Sequence, residues 1–67
     1  MNWNQVEGNW KQVKGKLRGK WGKLTNDDLE QARGRRDRLV GIIEERYGEA
    51  RDAIERELDS LIDRLAA

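Results

Sequence analysis

Cysteine, histidine, proline and phenylalanine are all missing from this 67-residue chain. Without cysteine there is no disulfide, no thiolate nucleophile and no sulfur ligand for a metal. Without histidine the usual general base and the commonest metal ligand are gone. Ser60 is the only serine, and no base stands near it in sequence, so nucleophilic catalysis has no candidate. No glycine-rich phosphate loop of the Walker type occurs. The absence of proline leaves long helices unobstructed. No apolar run approaches the ~18 residues that a membrane span requires, and no charged-then-apolar leader opens the chain. With zero cysteine, these absences predict a cytoplasmic protein.

What the chain does have is charge, at 40% of residues, with a mean hydropathy of −1.05. A chain this short is one small domain, residues 1–67, that buries only about 60% of its unfolded surface. The charges nearly balance overall, yet they are graded along the sequence. From Met1 to Leu24, five lysines and Arg18 against Glu7 alone leave +5. The next segment, to Gly48, carries −1, and the remainder −3. The chain is basic at its start and acidic at its end.

Trp3, Val6, Trp10, Val13, Leu17, Trp21 and Leu24 are spaced 3, 4, 3, 4, 4 and 3 residues apart, a helical stripe rather than strand alternation. Asn2 or Asn4 is placed to cap that helix, and Gly22 to close it in a left-handed conformation. Thr25-Asn26-Asp27-Asp28 then reads as a new helix start, with the Thr25 hydroxyl accepting from the Asp28 amide. A short second helix carries Leu29 and Ala32 and ends near Gly34. A third runs from Arg36 to Tyr47 with Leu39, Val40, Ile43 and Tyr47 on one side, and Gly48 closes it. The fourth starts near Glu49 and carries Ala50, Ile54, Leu58, Leu61, Ile62 and Leu65.

A weak internal repeat has an offset of 26 residues: Gly8, Val13, Gly15, Leu17, Lys20, Trp21 and Gly22 map onto Gly34, Leu39, Gly41, Ile43, Arg46, Tyr47 and Gly48. Two copies are too few for a solenoid. They suit two stacked helical hairpins, helices one and two, then three and four.

The tryptophans share the apolar face, so they read as core rather than as an exposed stacking platform for bases. Lys11, Lys14, Lys16, Arg18, Lys20 and Lys23 surround that stripe. A solvated helix face is the plain explanation, but so much charge of one sign also suits phosphate contacts or an anionic membrane surface. Glycines 8, 15 and 22 recur on the opposite side and leave the backbone bare. The turn Gly34-Arg35-Arg36-Asp37-Arg38 combines a glycine with clustered arginines, Asp37 reading as a local cap or salt-bridge partner. Lys11, Lys14, Arg18, Arg35 and Arg36 are the candidate nucleic-acid contacts. Asp27, Asp28 and Glu30 do not follow a calcium-loop pattern, and capping accounts for them. Glu44, Glu45 and the acids of the last helix have arginines three or four residues away, as ordinary surface pairs do.

Gly8-Asn9-Trp10-Lys11-Gln12, Gly15-Lys16, Trp21-Gly22-Lys23-Leu24-Thr25 with Asp27-Asp28, and Gly34-x-Arg36-Asp37-x-Leu39-Val40-Gly41-x-Ile43-x-Glu45-Arg46-Tyr47-Gly48 together resemble the CsbD-like family of small bacterial stress-induced proteins. The resemblance covers Met1 to Leu58 and lapses in the leucine-rich tail. It implies an all-α domain of two roughly orthogonal helical hairpins, akin to SAM-like folds, expressed under general stress in the cytoplasm. It carries over no catalytic residue, cofactor or metal. The expectation is a non-enzymatic stress-response protein with no small-molecule substrate. Three modes stay open: non-specific nucleic-acid binding, hydrophilin-like protection, or an interaction module whose last helix pairs with itself or a protein partner.

Overall fold

Asn2 opens the first helix with a reciprocal cap. Its side chain accepts from the Gln5 amide, and the Gln5 side chain accepts from the Asn2 amide. The computed structural model describes residues 1–66, and among these every regular element is helical: α1 (Trp3–Val6), a 3-10 turn (Glu7–Asn9), α2 (Trp10–Lys20), α3 (Asn26–Ala32), α4 (Arg36–Tyr47) and α5 (Arg51–Arg64).

The single helix predicted from Trp3 onward is therefore broken. Gly8 is a poor helix former, and the Asn9 side-chain amide donates to the Gln5 carbonyl at 2.8 Å. That bond takes up the acceptor an unbroken helix would offer to the backbone N–H of Asn9, and Asn9 swings out to φ −115°, ψ 26°. The far end also differs from expectation. Gly22 is not left-handed, and the chain leaves α2 through Trp21 at φ −117°, ψ 81°. The Trp21 amide still reaches the Leu17 carbonyl at 2.8 Å, and the Leu24 amide reaches back to Trp21 at 3.1 Å. That turn needs no positive φ. Gly48 does close α4 at φ 67°, so the repeat's two matching glycines take different conformations. α3 ends one residue earlier than expected, with Arg33 itself left-handed at φ 42° before Gly34 at φ 87°.

Side-chain ties fix how the helices run. Lys14 meets Glu30 at 3.2 Å and Arg18 meets Asn26 at 2.9 Å. Four residues forward on α2 correspond to four residues back on α3, so the two are antiparallel neighbours. Likewise Arg36 meets Asp59 and Glu55, while Glu44 meets Arg51, so α4 and α5 form a second antiparallel pair. α4 also packs on α3. The Met1 ammonium donates to the Leu65 carbonyl, which lays α1 against the end of α5.

The core between them is aliphatic: Val6, Val13, Leu17, Leu24, Leu29, Leu39, Val40, Ile43, Ile54, Leu58 and Ile62 are all shut off from water. Trp21 is the one tryptophan among them. Trp3 and Trp10, expected inside, are half-buried against this cluster, as are Tyr47 and Leu61. Ala50, also expected inside, is exposed because it precedes the first turn of α5.

Candidate nucleic-acid interface

Val13 and Leu17 anchor α2 to the core, and that fixes which residues face out. Lys11, Lys16, Arg18 and Lys20 are exposed, and Lys14 is half-exposed. The glycines of this face stay bare, with nothing within 4 Å of where a Cβ would stand at Gly8, Gly15 or Gly19. Two of the cations lie over aromatic rings: Lys20 is 5.4 Å from the centroid of Trp21, and Lys23 is 5.0 Å from that of Tyr47. The Lys23 amide also donates to the Tyr47 hydroxyl at 2.9 Å, which ties the loop after α2 to the end of α4.

The acidic last helix does not neutralise this face by contact. Among the described residues, the one ion pair involving α2 is Lys14 with Glu30 of α3, and no pair joins α2 to α5. The α5 acids Asp59 and Glu55 are turned instead to Arg36.

Arg36 forks the Asp59 carboxylate, Nε to Oδ1 at 2.8 Å and Nη2 to Oδ2 at 2.9 Å, and Nη2 lies 3.0 Å from Glu55 Oε2. The Trp3 indole N–H donates to the same Asp59 Oδ1 at 3.0 Å. The Arg36 hydrogen bonds, helped by Trp3, hold the Asp59 carboxyl below the usual carboxylate range against the opposing effect of desolvation. The Arg36 guanidinium is pushed up in turn, first by Asp59. Of the five sequence candidates, then, Lys11, Lys14 and Arg18 share α2, and Arg35 and Arg36 open α4. Gly34 carries that opening of α4 against Glu7, one helical turn before Lys11. Any phosphate at Arg36 would compete with two carboxylates, whereas Arg35 is exposed and has no ion-pair partner among the described residues.

Sequence reasoning missed a second pair. Asp28, only 6% exposed, is the sole buried charged residue among those described. Arg46 grips it with Nε to Oδ2 at 3.0 Å and Nη2 to Oδ1 at 2.8 Å, and the Thr25 amide adds a bond at 3.1 Å. Arg46 first, then Thr25, lower the Asp28 carboxyl below its ordinary value although burial pushes the other way. The cap was legible in Thr25-x-x-Asp28; a partner 18 residues away left no local signal. The surface pairs differ in the same way. Among the recorded ion pairs, only Arg51 with Glu55 has the i,i+4 spacing, and Asp37 takes part in none.

α5 has no open apolar face, because Ile54, Leu58, Ile62 and Leu65 are buried in the core. No large hydrophobic side chain is exposed among the described residues. No three acidic side chains converge there in a metal-holding group, and no helix is long and apolar enough to cross a membrane.

The family model described as CsbD-like matches residues 4–56. Over 59 residues the chain is 58% identical to UPF0337 protein RPA4217 of Rhodopseudomonas palustris, covering 88% of this chain and 89% of that one. It is 55% identical over 60 residues to UPF0337 protein YjbJ of Escherichia coli O6:H1, covering 90% and 87%. The YjbJ protein of Salmonella typhimurium is 53% identical over 58 residues, covering 87% and 83%. No solved structure matches the chain.

Proposed function

We propose, from the premise that the chain belongs to the CsbD-like family, a non-enzymatic bacterial stress-response protein, acting in the cytoplasm, that associates with nucleic acid weakly and without sequence preference. The observation that carries this reading is the exposed basic face of α2: Lys11, Lys16, Arg18 and Lys20 stay in solvent, only Lys14 is paired, with Glu30, and no ion pair among the described residues joins α2 to α5. A flexible row of cations on a helix meets phosphates without reading bases, because sequence is read at base edges rather than at the backbone.

Lys11, Arg18 and Arg35 are the contacts that need displace no carboxylate. Lys14 joins them on leaving Glu30, and Arg36 only at the expense of Asp59 and Glu55. Each phosphate contact lowers the slope of log affinity against log salt by about 0.9, so three contacts give a slope of about −2.7. Affinity belongs in the non-specific range, with Kd of about 10⁻⁴ to 10⁻⁶ M at physiological salt.

Titrating duplex and single-stranded DNA at low salt tests this. Both forms should bind, the affinity should fall with salt at that slope, and changing Lys11, Lys14 and Arg18 together to glutamate should abolish the shift. Absence of binding to either form, or binding indifferent to the triple change, overturns the reading and leaves protection during drying as the mode to examine.

A further inference from the structure

The break between α1 and α2 turns on Asn9. Val6, Glu7 and Trp10 all have helical dihedrals, whereas Asn9 stands at φ −115°, ψ 26°. Bringing Asn9 to helical values takes a change of about 50° in φ and about 70° in ψ. The apolar stripe gives no reason for the break. Trp3, Val6, Trp10, Val13 and Leu17 keep their three- and four-residue spacing straight across it, as one continuous helix would. Nor does crowding explain it, since no atom lies within 4 Å of where a Gly8 Cβ would stand. Two things hold the bent form: the 2.8 Å bond from the Asn9 side-chain amide to the Gln5 carbonyl, and the docking of α1 itself.

That docking is self-contained. Val6 is fully buried in the core. Trp3 packs half-buried against the same cluster, and its indole donates to Asp59 of α5 at 3.0 Å. Glu7 lies against the α3–α4 turn, its Cα 3.0 Å from where a Gly34 Cβ would stand. Val6, Trp3 and Glu7 are all on the N-terminal side of Asn9, so they move with α1 as a unit. When Asn9 turns helical, α1 continues the axis of α2 and leaves a site lined by Asp59, the Gly34 turn and the core around Val6. Leaving that site empty exposes apolar surface and is unfavourable. The α1 of a second copy fits it by construction, because it presents the same residues in the same order.

We propose that Gly8–Asn9 is a hinge through which two copies of this chain exchange α1. Each α1 runs on from its own α2 as one helix and docks on the α5 and α3–α4 turn of the other copy. The exchange is reciprocal and closes as a two-fold dimer. Every contact of α1 is kept, so only the hinge distinguishes dimer from monomer, and short hinge segments are what govern such swaps. Exchange of α1 is independent of DNA association along α2.

Sedimentation equilibrium of the full chain, alone and with the hinge changed, is the test. Gly8→Ala combined with Asn9→Ala favours continuous helix and removes the bond to Gln5. Helix propensity acts once per chain and so twice per dimer, and the double variant should dimerise about tenfold more tightly or better. Trp3→Phe weakens the docking of α1 equally in both forms and should leave the monomer–dimer balance unchanged. Labelled and unlabelled chains are then unfolded and refolded together at millimolar concentration, for the parent and the double variant alike. Isotope-filtered NOEs between the Trp3 indole and α5 should appear across chains. A double variant that is folded yet monomeric overturns the hinge. So does a dimer whose Trp3–α5 NOEs all stay within one chain, which is surface association instead. If the double variant does not fold, the parent decides: no cross-chain Trp3–α5 NOE after co-refolding refutes exchange.

Discussion

Gly34 and Gly48 are both left-handed, at φ 87° and 67°, and alanine at either carries the same kind of backbone penalty. What differs is the space around them. At Gly48 nothing lies within 4 Å of an added Cβ, whereas at Gly34 the Cβ would meet the Glu7 Cα at 3.0 Å, its N at 3.1 Å and its Cβ at 3.2 Å. Two of those three atoms are backbone, and the 3-10 turn that holds them is pinned by the Asn9–Gln5 bond. The neighbour cannot yield by rotating a side chain.

The left-handed conformation costs a non-glycine residue about 1–2 kcal/mol, and the reduced freedom of the unfolded chain returns about 0.4–1 kcal/mol. Gly48→Ala should therefore destabilise by roughly 0.5–1 kcal/mol. Gly34→Ala adds the overpacking cost of about 1–3 kcal/mol, for a total of roughly 1.5–4 kcal/mol. In a domain of this size 1 kcal/mol moves Tm by about 4–8 °C, so circular dichroism melts separate the two variants easily. Gly15→Ala is the control. It sits inside α2 with open space around it and should raise Tm, since glycine in a helix interior costs up to about 1 kcal/mol. Equal losses from Gly34→Ala and Gly48→Ala would refute the close approach between the turn and Glu7.

Trp3 and Trp10 are both half-buried, but only Trp3 has an acceptor, Asp59. Trp3→Phe should thus cost about 1 kcal/mol more than Trp10→Phe, the usual net worth of a hydrogen bond; melts that reverse this order contradict the pairing. Asp28 and Asp59 titrate below the usual carboxylate range, held down first by Arg46 and Arg36. Their contribution is complete above the unfolded pKa of about 3.9 and is lost as pH falls through the lower folded values. Urea midpoints should decline below about pH 4, and less steeply in Asp28→Asn; a variant with the same decline as the parent would show that the Arg46 pair does not govern it.

How much of this was legible in the sequence depended on distance along the chain. The α4 boundaries, the Thr25 cap and the buried aliphatics follow from signals within four residues, and the sequence reading placed them correctly. The break at Gly8–Asn9 was hidden because an apolar stripe continues unaltered across a 3-10 turn, which keeps nearly the same face. Gly22 departs from the expected left-handed turn because glycine permits such a conformation without requiring it. Trp10 looked like core because its spacing matches Val6 and Val13. Spacing assigns a face, however, and whether a ring on that face is fully covered depends on what the α3–α4 turn brings up against it.

The arginines show where local reading ends and folding decides. Arg33, Arg35, Arg36 and Arg38 are near-equivalent in sequence, four bases around one glycine turn. The fold separates them by what lies across from each. Arg36 stands at the first turn of α4, opposite Asp59 and Glu55 on α5, and becomes a structural clamp whose planar fork a lysine would not reproduce. Among the described residues its three neighbours meet no carboxylate, and they are left around a cleft that Trp10 also lines. Arg46 is drawn to Asp28 by the same logic. Asp59 and Glu55 hold α5 on α4 instead of screening the basic end of the chain. Most of the +5 written into the first 24 residues therefore survives folding as an exposed face, because on α2 only Lys14 finds a carboxylate, Glu30, and no ion pair among the described residues joins α2 to α5.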